Sequence, residues 1–117
     1  MNKQIDGKSS FYAEGGQLLS ESWFVQGKKE GRSLQFYLSG ALYASLFYRE
    51  GKKEGKQEYF YEEGNLKTEE YWHEGKLDGE IRFYWPNGQL KRRVVFEKGR
   101  HSGVDQFFTE QGELLDV

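Results

Sequence analysis

The side chains that could carry catalytic or metal chemistry are few in this 117-residue chain. Its two histidines, His73 and His101, stand far apart in sequence, and the chain has no cysteine. A metal ion needs several ligands that converge on it at about 2.0–2.3 Å. Ser20, Ser22 and Ser102 lack the Gly-x-Ser-x-Gly setting of an activated nucleophile. The sequence therefore predicts no metal site and no nucleophilic site.

The carboxylates and glycines are typical of turns rather than of catalysis. Acidic residues cluster in polar runs such as Glu62-Glu63 and Glu69-Glu70. A catalytic carboxylate pair needs a cleft, a separation of about 5–10 Å and burial that raises one pKa. No helical segment follows the glycines, so they do not build a phosphate-binding loop. We predict a non-enzymatic protein with no catalytic residue and no cofactor.

Short basic clusters are the one candidate for binding anions. Two lysine pairs recur 24 residues apart, so they would line one edge of a sheet. Glu30 and Glu54 follow directly and offset much of their charge, which favours an ordinary solvated turn. A lipid-binding role for this edge is kept as the alternative function. Its candidate residues are Lys28, Lys29, Lys52 and Lys53.

Composition narrows the class of partner. The 17 basic and 19 acidic residues give a net charge of −2, which provides no electrostatic footprint for nucleic acid. Aromatic residues make up 17% of the chain, which indicates a folded protein whose core is rich in rings. Residues 1–10 are polar, and no apolar run approaches the ~20 residues of a membrane span. We expect a soluble, cytoplasmic protein; secretion without a signal peptide stays open.

The chain repeats itself every 24 residues. Glycines begin the repeats, an aromatic residue follows five positions later, and a leucine follows eleven positions later. The glycines are Gly7, Gly31, Gly55, Gly79 and Gly103; the aromatics are Tyr12, Phe36, Phe60, Tyr84 and Phe108; the leucines are Leu18, Leu42, Leu66, Leu90 and Leu114. Such a period indicates a repeat architecture. We predict a single repeat domain over 1–117, with repeats 7–30, 31–54, 55–78, 79–102 and a partial repeat 103–117.

Each repeat reads as two antiparallel strands. Pro86-Asn87-Gly88 is typical of a three-residue hairpin loop, which would set Tyr84 opposite Leu90. The second turn, for example between Gly75 and Gly79, reads as a wider, solvated hairpin. No apolar stripe of helical period persists. The predicted fold is an all-β, repetitive antiparallel β-meander of nine or ten strands.

Strand alternation assigns the two faces of this sheet. The recurrent aromatics and leucines share one parity, so we expect them to form the buried face, with Leu66 packed on Phe60. The opposite face carries many further rings, fullest in the third and fourth repeats. Large exposed patches of rings mark binding sites. Packing of these rings against the curl of the sheet itself explains them equally well. The candidate partner-binding residues are Tyr59, Tyr61, Tyr71, Phe83 and Trp85; we expect Tyr61 and Trp85 to be replaceable without loss of stability.

The repeat resembles the MORN repeat (membrane occupation and recognition nexus) in its variant bacterial form. The matching segments are Trp85–Leu90, Phe96–Gly103 and Tyr71–Glu80, and the resemblance extends from Gly7 to Leu115. It implies a β-meander scaffold for protein contacts, lipid contacts in some members, and an antitoxin-like grouping for bacterial variants. We therefore expect a protein partner, with a peripheral membrane role as the alternative. Unpaired strand edges at 8–13 and 113–117 also predict self-association.

Overall fold

The chain forms one antiparallel sheet in a computed structural model, which describes residues 5–116. Its strands are β1 (Gly7–Tyr12), β2 (Leu18–Val25), β3 (Lys28–Lys29), β4 (Gly31–Phe36), β5 (Leu42–Arg49), β6 (Lys52–Lys53), β7 (Gly55–Phe60), β8 (Leu66–His73), β9 (Lys76–Leu77), β10 (Gly79–Tyr84), β11 (Leu90–Glu97), β12 (Arg100–Phe108) and β13 (Leu114–Leu115). The order is β1-β2-β4-β5-β7-β8-β10-β11-β12-β13, while β3, β6 and β9 pair with β2, β5 and β8. The predicted all-β meander is confirmed. Expectations that concern residues 1–4 and 117 lie outside the described part.

The hairpin loop within each repeat follows the sequence pattern. Tyr84 pairs with Leu90, as predicted. The Trp85 N–H donates to the Gln89 carbonyl at 2.8 Å, and Gly88 adopts a φ of 91°. A three-residue loop of this kind needs its third residue in the left-handed region, which glycine adopts without steric cost. We call the edge of the sheet formed by these loops the loop edge.

The turn between repeats is tighter than predicted. Arg49 pairs with Lys52, and the two residues between them have positive φ, 51° at Glu50 and 82° at Gly51. This is a two-residue type I′ turn, whose twist matches that of the strands. The prediction of a wide hairpin is wrong because Gly55 belongs to the start of β7 and not to the turn. We call this edge, with turns at Gln26-Gly27, Glu50-Gly51, Glu74-Gly75 and Lys98-Gly99, the rim.

A β-bulge in each hairpin reassigns the faces. Between Tyr59 and Phe60 the register shifts by one residue, because Lys67 is an extra residue in β8. Residues directly opposite each other share a face, so the pairs define two sets. Face A bears Gln57, Tyr59, Thr68, Glu70, Trp72 and their equivalents; face B bears Lys56, Glu58, Phe60, Leu66, Glu69, Tyr71 and their equivalents. The alternation predicted from sequence is therefore wrong for Tyr71, which lies on face B with Phe60 and Leu66.

The sheet is a single layer measuring 57 × 36 × 15 Å. Its most buried apolar side chains lie on face A, in the middle of the strands: Ala44, Leu46, Ile81 and Val94. Leu66 and its equivalents on face B are half-buried at best, and Leu114 is 58% exposed. The expectation that the leucine column forms the buried face is thus wrong. At the centre of face A each side chain is flanked by side chains of the two neighbouring strands, whereas the leucines lie beside the loops.

Candidate functional site

Two of the five candidate rings line a shallow cleft on face A. Tyr59 and Phe83 form its walls with Tyr43 and Lys67, and the cleft measures about 240 Å³. Thr68 and Glu70 complete the lining. Tyr43 and Tyr59 meet edge to face at 5.8 Å, which fixes the rings in place. Burial raises the pKa of the Tyr59 phenol.

Tyr71 does not belong to this surface. It pairs across the sheet with Lys56, on face B, and its hydroxyl lies 3.4 Å from Glu69 Oε1. The candidate set predicted from sequence therefore divides between two faces. The physical reason is the bulge at Lys67, which has no glycine or proline to announce it.

Tyr61 and Trp85 connect consecutive repeats at the loop edge. The Tyr61 hydroxyl donates to the Tyr84 carbonyl at 2.6 Å, and Trp85 Nε1 donates to the Phe108 carbonyl at 3.1 Å. Tyr37 donates to Phe60 in the same way at 2.6 Å. Each ring thus satisfies a carbonyl 23 residues further along the chain. The expectation that Tyr61 and Trp85 are replaceable without loss of stability does not hold with these contacts.

Four lysines on face A lie over aromatic rings. Lys29 and Lys53 reach from β3 and β6 to the next repeat, with Nζ 4.9 Å from the Tyr48 ring centre and 4.8 Å from that of Trp72. Lys67 lies 5.7 Å from the Tyr61 ring, and Lys91 lies 4.7 Å from the Trp85 ring. Cation–π attraction orients each ammonium without neutralising its charge. None of the four forms an ion pair with a carboxylate within residues 5–116.

The two carboxylates on the face A strands already have internal partners. Glu70 accepts a hydrogen bond from Trp72 Nε1 at 2.9 Å. Asp105 accepts two from Arg92, each at 2.9 Å, and these hold the pKa of Asp105 below its ordinary value. Arg92 itself lies over Phe107 at 5.0 Å. Within residues 5–116, the charges of face A that lack an internal counter-ion are therefore the four lysines and Glu70, whose hydrogen-bond partner is a neutral indole.

Face B pairs most of its central charges with one another. Lys56 Nζ lies 3.3 Å from Glu69 and 3.6 Å from Glu58, and the bond to Glu69 raises the pKa of Lys56. Arg82 and Arg93 both bond to Glu80. Burial opposes ionisation of Glu80, but these two bonds hold its pKa below the ordinary value. Arg32 is the exception, since it donates to the Ser45 hydroxyl at 2.5 Å and pairs with no carboxylate within residues 5–116.

The rim contains a hydrogen-bond ladder that sequence reasoning missed. The Glu50 N–H donates to Glu30 Oε1 at 2.8 Å, and the Glu74 N–H donates to Glu54 Oε1 at 2.9 Å. Asp6 and Asp78 accept from Gln26 and Lys98 in the same way. The hydrogen bond that Glu54 accepts from the Glu74 N–H lowers the pKa of Glu54, and the bond from His73 Nδ1 to Glu54 Oε2 raises the pKa of His73. The available signal was an acid directly before four of the repeat glycines.

The four lipid candidates do not share one surface. Lys29 and Lys53 lie on face A, whereas Lys28 and Lys52 lie on the rim beside Gly51 and Gly75. Adjacent strand residues point to opposite faces, which separates each pair. The rim cleft beside Lys28 and Lys52 is of mixed charge, and its other lining residues are Arg49, Glu50, Glu54, His73 and Glu74. A larger rim cleft of about 730 Å³ is equally mixed, lined by Lys76, Asp78, Glu97, Lys98 and Arg100.

Ring exposure is highest in the first repeat, on face A at Phe11 and on face B at Tyr12 and Trp23. Phe11 and Tyr12 are 68% and 63% exposed, and Trp23 is 48% exposed. The rings of the third and fourth repeats are half-buried. The difference arises because neighbouring repeats cover the central rings, while β1 lies at the end of the strand order.

The fold and these contacts define a class: an antiparallel repeat scaffold in which each 24-residue unit bonds to the next. The family model described as MORN repeat variant matches residues 53–74 and 77–98. The chain therefore contains repeats of the MORN-variant family, and the predicted resemblance is confirmed. No curated protein matches the chain. Across residues 5–116 there is no helix able to span a membrane and no group of acidic and histidine side chains that could hold a metal ion.

Proposed function

We propose that this chain is a scaffold that binds another protein through face A. The observation that carries the proposal is the ring-lined cleft of Tyr43, Tyr59 and Phe83 beside lysines that have no internal counter-ion. Aromatic residues dominate protein-binding hot spots, and partly exposed rings contribute most when a partner removes their remaining water. Face B offers less, because most of its central charges are already paired.

The cleanest test replaces two exposed lysines of face A, Lys67→Glu with Lys91→Glu. The matched control makes the same change on the rim, Lys28→Glu with Lys52→Glu. Full-length tagged proteins capture partners from the source cells, and mass spectrometry compares them. We expect at least one protein to be retained by the parent and the rim variant and lost by the face A variant.

Two outcomes would refute this assignment. One is a partner set that is unchanged by the face A variant. The other is binding to phosphatidylserine vesicles that the rim variant abolishes, which would restore the membrane role. Far-UV spectra of both variants check that the sheet is intact.

Self-association is a second binding mode, favoured by the ends of the sheet. No strand within residues 5–116 pairs with the outer edge of β1, and β13 pairs with only two residues of β12. Exposed edge strands are templates for strand addition. Sedimentation over a range of concentrations tests this; a strict monomer at millimolar concentration would contradict it.

A further inference from the structure

The charges and rings of face A indicate which kind of partner segment it binds; this inference rests on the proposed function. We infer that face A recognises an acidic, proline-rich segment in the polyproline II conformation, with a carboxylate at every third residue.

The charge of the ligand follows from the lysines. Lys29, Lys53, Lys67 and Lys91 are each held over a ring. Lys67 and Lys91 are exposed, whereas Lys29 and Lys53 are half-buried, and Lys53 also donates to the Tyr59 hydroxyl. Of the two carboxylates on the face A strands, Asp105 is paired with Arg92, and Glu70 accepts a hydrogen bond from the neutral Trp72 indole. An incoming carboxylate would therefore meet four oriented cations and one carboxylate, Glu70, that lines the cleft beside Lys67. Face A is complementary to an acidic ligand.

The spacing of these cations follows from the repeat. The lysines form two rows: a rim-side row of Lys29 and Lys53, and a loop-side row of Lys67 and Lys91. Members of a row are one repeat apart, which is two strands. At about 4.8 Å per strand this places equivalent side chains about 10 Å apart along the long axis of the sheet.

Only one common extended conformation matches this spacing. A polyproline II helix has three residues per turn and rises about 3.1 Å per residue, so every third side chain lies on one side at intervals of about 9.3 Å. Side chains on one face of a β-strand recur at about 6.7 Å, which does not match. A carboxylate at every third position of a polyproline II segment would therefore meet successive lysines of a row.

The rings explain why proline fits the intervening positions. Tyr59 lies between the two rows: Lys53 Nζ is 3.3 Å from its hydroxyl, and Lys67 lines the cleft beside it. Tyr43 and Phe83 extend the aromatic surface on either side. Aromatic-lined grooves bind polyproline II segments because these pay little ordering entropy. The combination selects acidic residues that alternate with proline pairs.

The probe is a fluorescein-labelled peptide of four Glu-Pro-Pro units, titrated with the full chain and followed by anisotropy. One comparison peptide replaces each Glu by Lys; a second keeps the composition but places the four Glu together before the eight Pro. We expect the Glu-Pro-Pro peptide to bind at least about tenfold more tightly than either. The Lys67→Gln, Lys91→Gln variant should bind it about tenfold more weakly, and the Lys28→Gln, Lys52→Gln variant within about twofold of the parent.

Equal binding of the three peptides, equal losses in the two variants, or no binding of the Glu-Pro-Pro peptide at millimolar concentration would each overturn the inference. If a captured protein still depends on Lys67 and Lys91 while the peptide fails, face A remains the binding surface and only the ligand chemistry is wrong. If both fail, the proposed function fails as well. If phosphatidylserine vesicles bind the parent and the rim variant but not the face A variant, and the peptide does not bind, face A would be assigned to a membrane.

Discussion

Face A and face B are built from the same strands, yet they treat their charges in opposite ways. Lys56 on face B lies 3.3 Å from Glu69, whereas Lys91 on face A lies over the Trp85 ring. A carboxylate neutralises a cation; a ring only orients it. The difference teaches that most cations of face B have counter-ions within the sheet, whereas the four lysines of face A have rings in their place and remain available to an external acid.

The faces also differ in how they bury apolar surface. Leu46 is 3% exposed on face A, while Leu66 on face B is only half-buried. A single-layer sheet has no second layer to cover either face, so burial comes only from adjacent strands and long side chains. The centre of face A is therefore the part of the molecule that most resembles a core.

The largest expected effect tests this difference in burial. Leu46→Ala should lower the free energy of unfolding by about 3 kcal/mol, as for other fully buried leucines. Leu66→Ala should cost about half as much, because solvent already reaches the side chain. Urea melts of both variants measure the difference. Equal losses would mean that the two faces are equally buried in solution.

The next prediction asks whether the loop-edge rings of face A are structural. Tyr61→Phe keeps the ring but removes the hydrogen bond to the Tyr84 carbonyl, so it should cost about 1 kcal/mol. The control, Tyr12→Phe, alters a side chain that is 63% exposed and should change little. Thermal melts compare them. If Tyr61→Phe is neutral, Tyr61 is free for binding, as the sequence suggested.

Sequence reasoning succeeded where the determinants are local. The three-residue loop at Pro86-Asn87-Gly88 and the Tyr84–Leu90 pair follow from turn chemistry within ten residues. It failed at Tyr71 because the bulge at Lys67 has no marker residue, and one extra residue reverses every later side chain. The rim turn was misread because its first position holds Glu50 instead of Asn or Gly.

Contacts between repeats could not be predicted from the sequence for a different reason. Lys53 finds the Trp72 ring and Glu54 finds the Glu74 N–H, 19 and 20 residues away. Recurrence of a residue type shows that a position matters, but it does not say which neighbour satisfies it. The candidate site could therefore be named as a set of rings and lysines, but its division between two faces required the register.

A smaller effect concerns the backbone of the rim, where residues other than glycine adopt a positive φ. Glu74 has a φ of 50°, a conformation that costs residues other than Gly, Asn and Asp. Glu74→Asn should therefore raise the free energy of unfolding by about 0.5 kcal/mol, since Asn is favoured in type I′ turns. Glu63→Asn, in a loop position without positive φ, is the control. Chemical denaturation decides it; a loss of stability would show that the Glu74 side chain has another role.

The smallest effect is the pH dependence of the rim pair His73 and Glu54, whose closest nitrogen and oxygen lie 3.1 Å apart. The pKa of His73 is raised above 6.5, so its contribution is complete below that value and is lost as pH rises through the raised pKa. The pKa of Glu54 is lowered below 4.5, so its contribution is present above that value and is lost as pH falls through the lowered pKa. The pair therefore stabilises the sheet most between these two ordinary values.

His73→Gln should reduce the fall in stability on going from pH 6 to pH 8, measured by urea melts in matched buffers, and Glu54→Gln should reduce it too. A fall that persists unchanged in both variants would place the titrating group elsewhere and leave the rim ladder dependent on backbone donors alone.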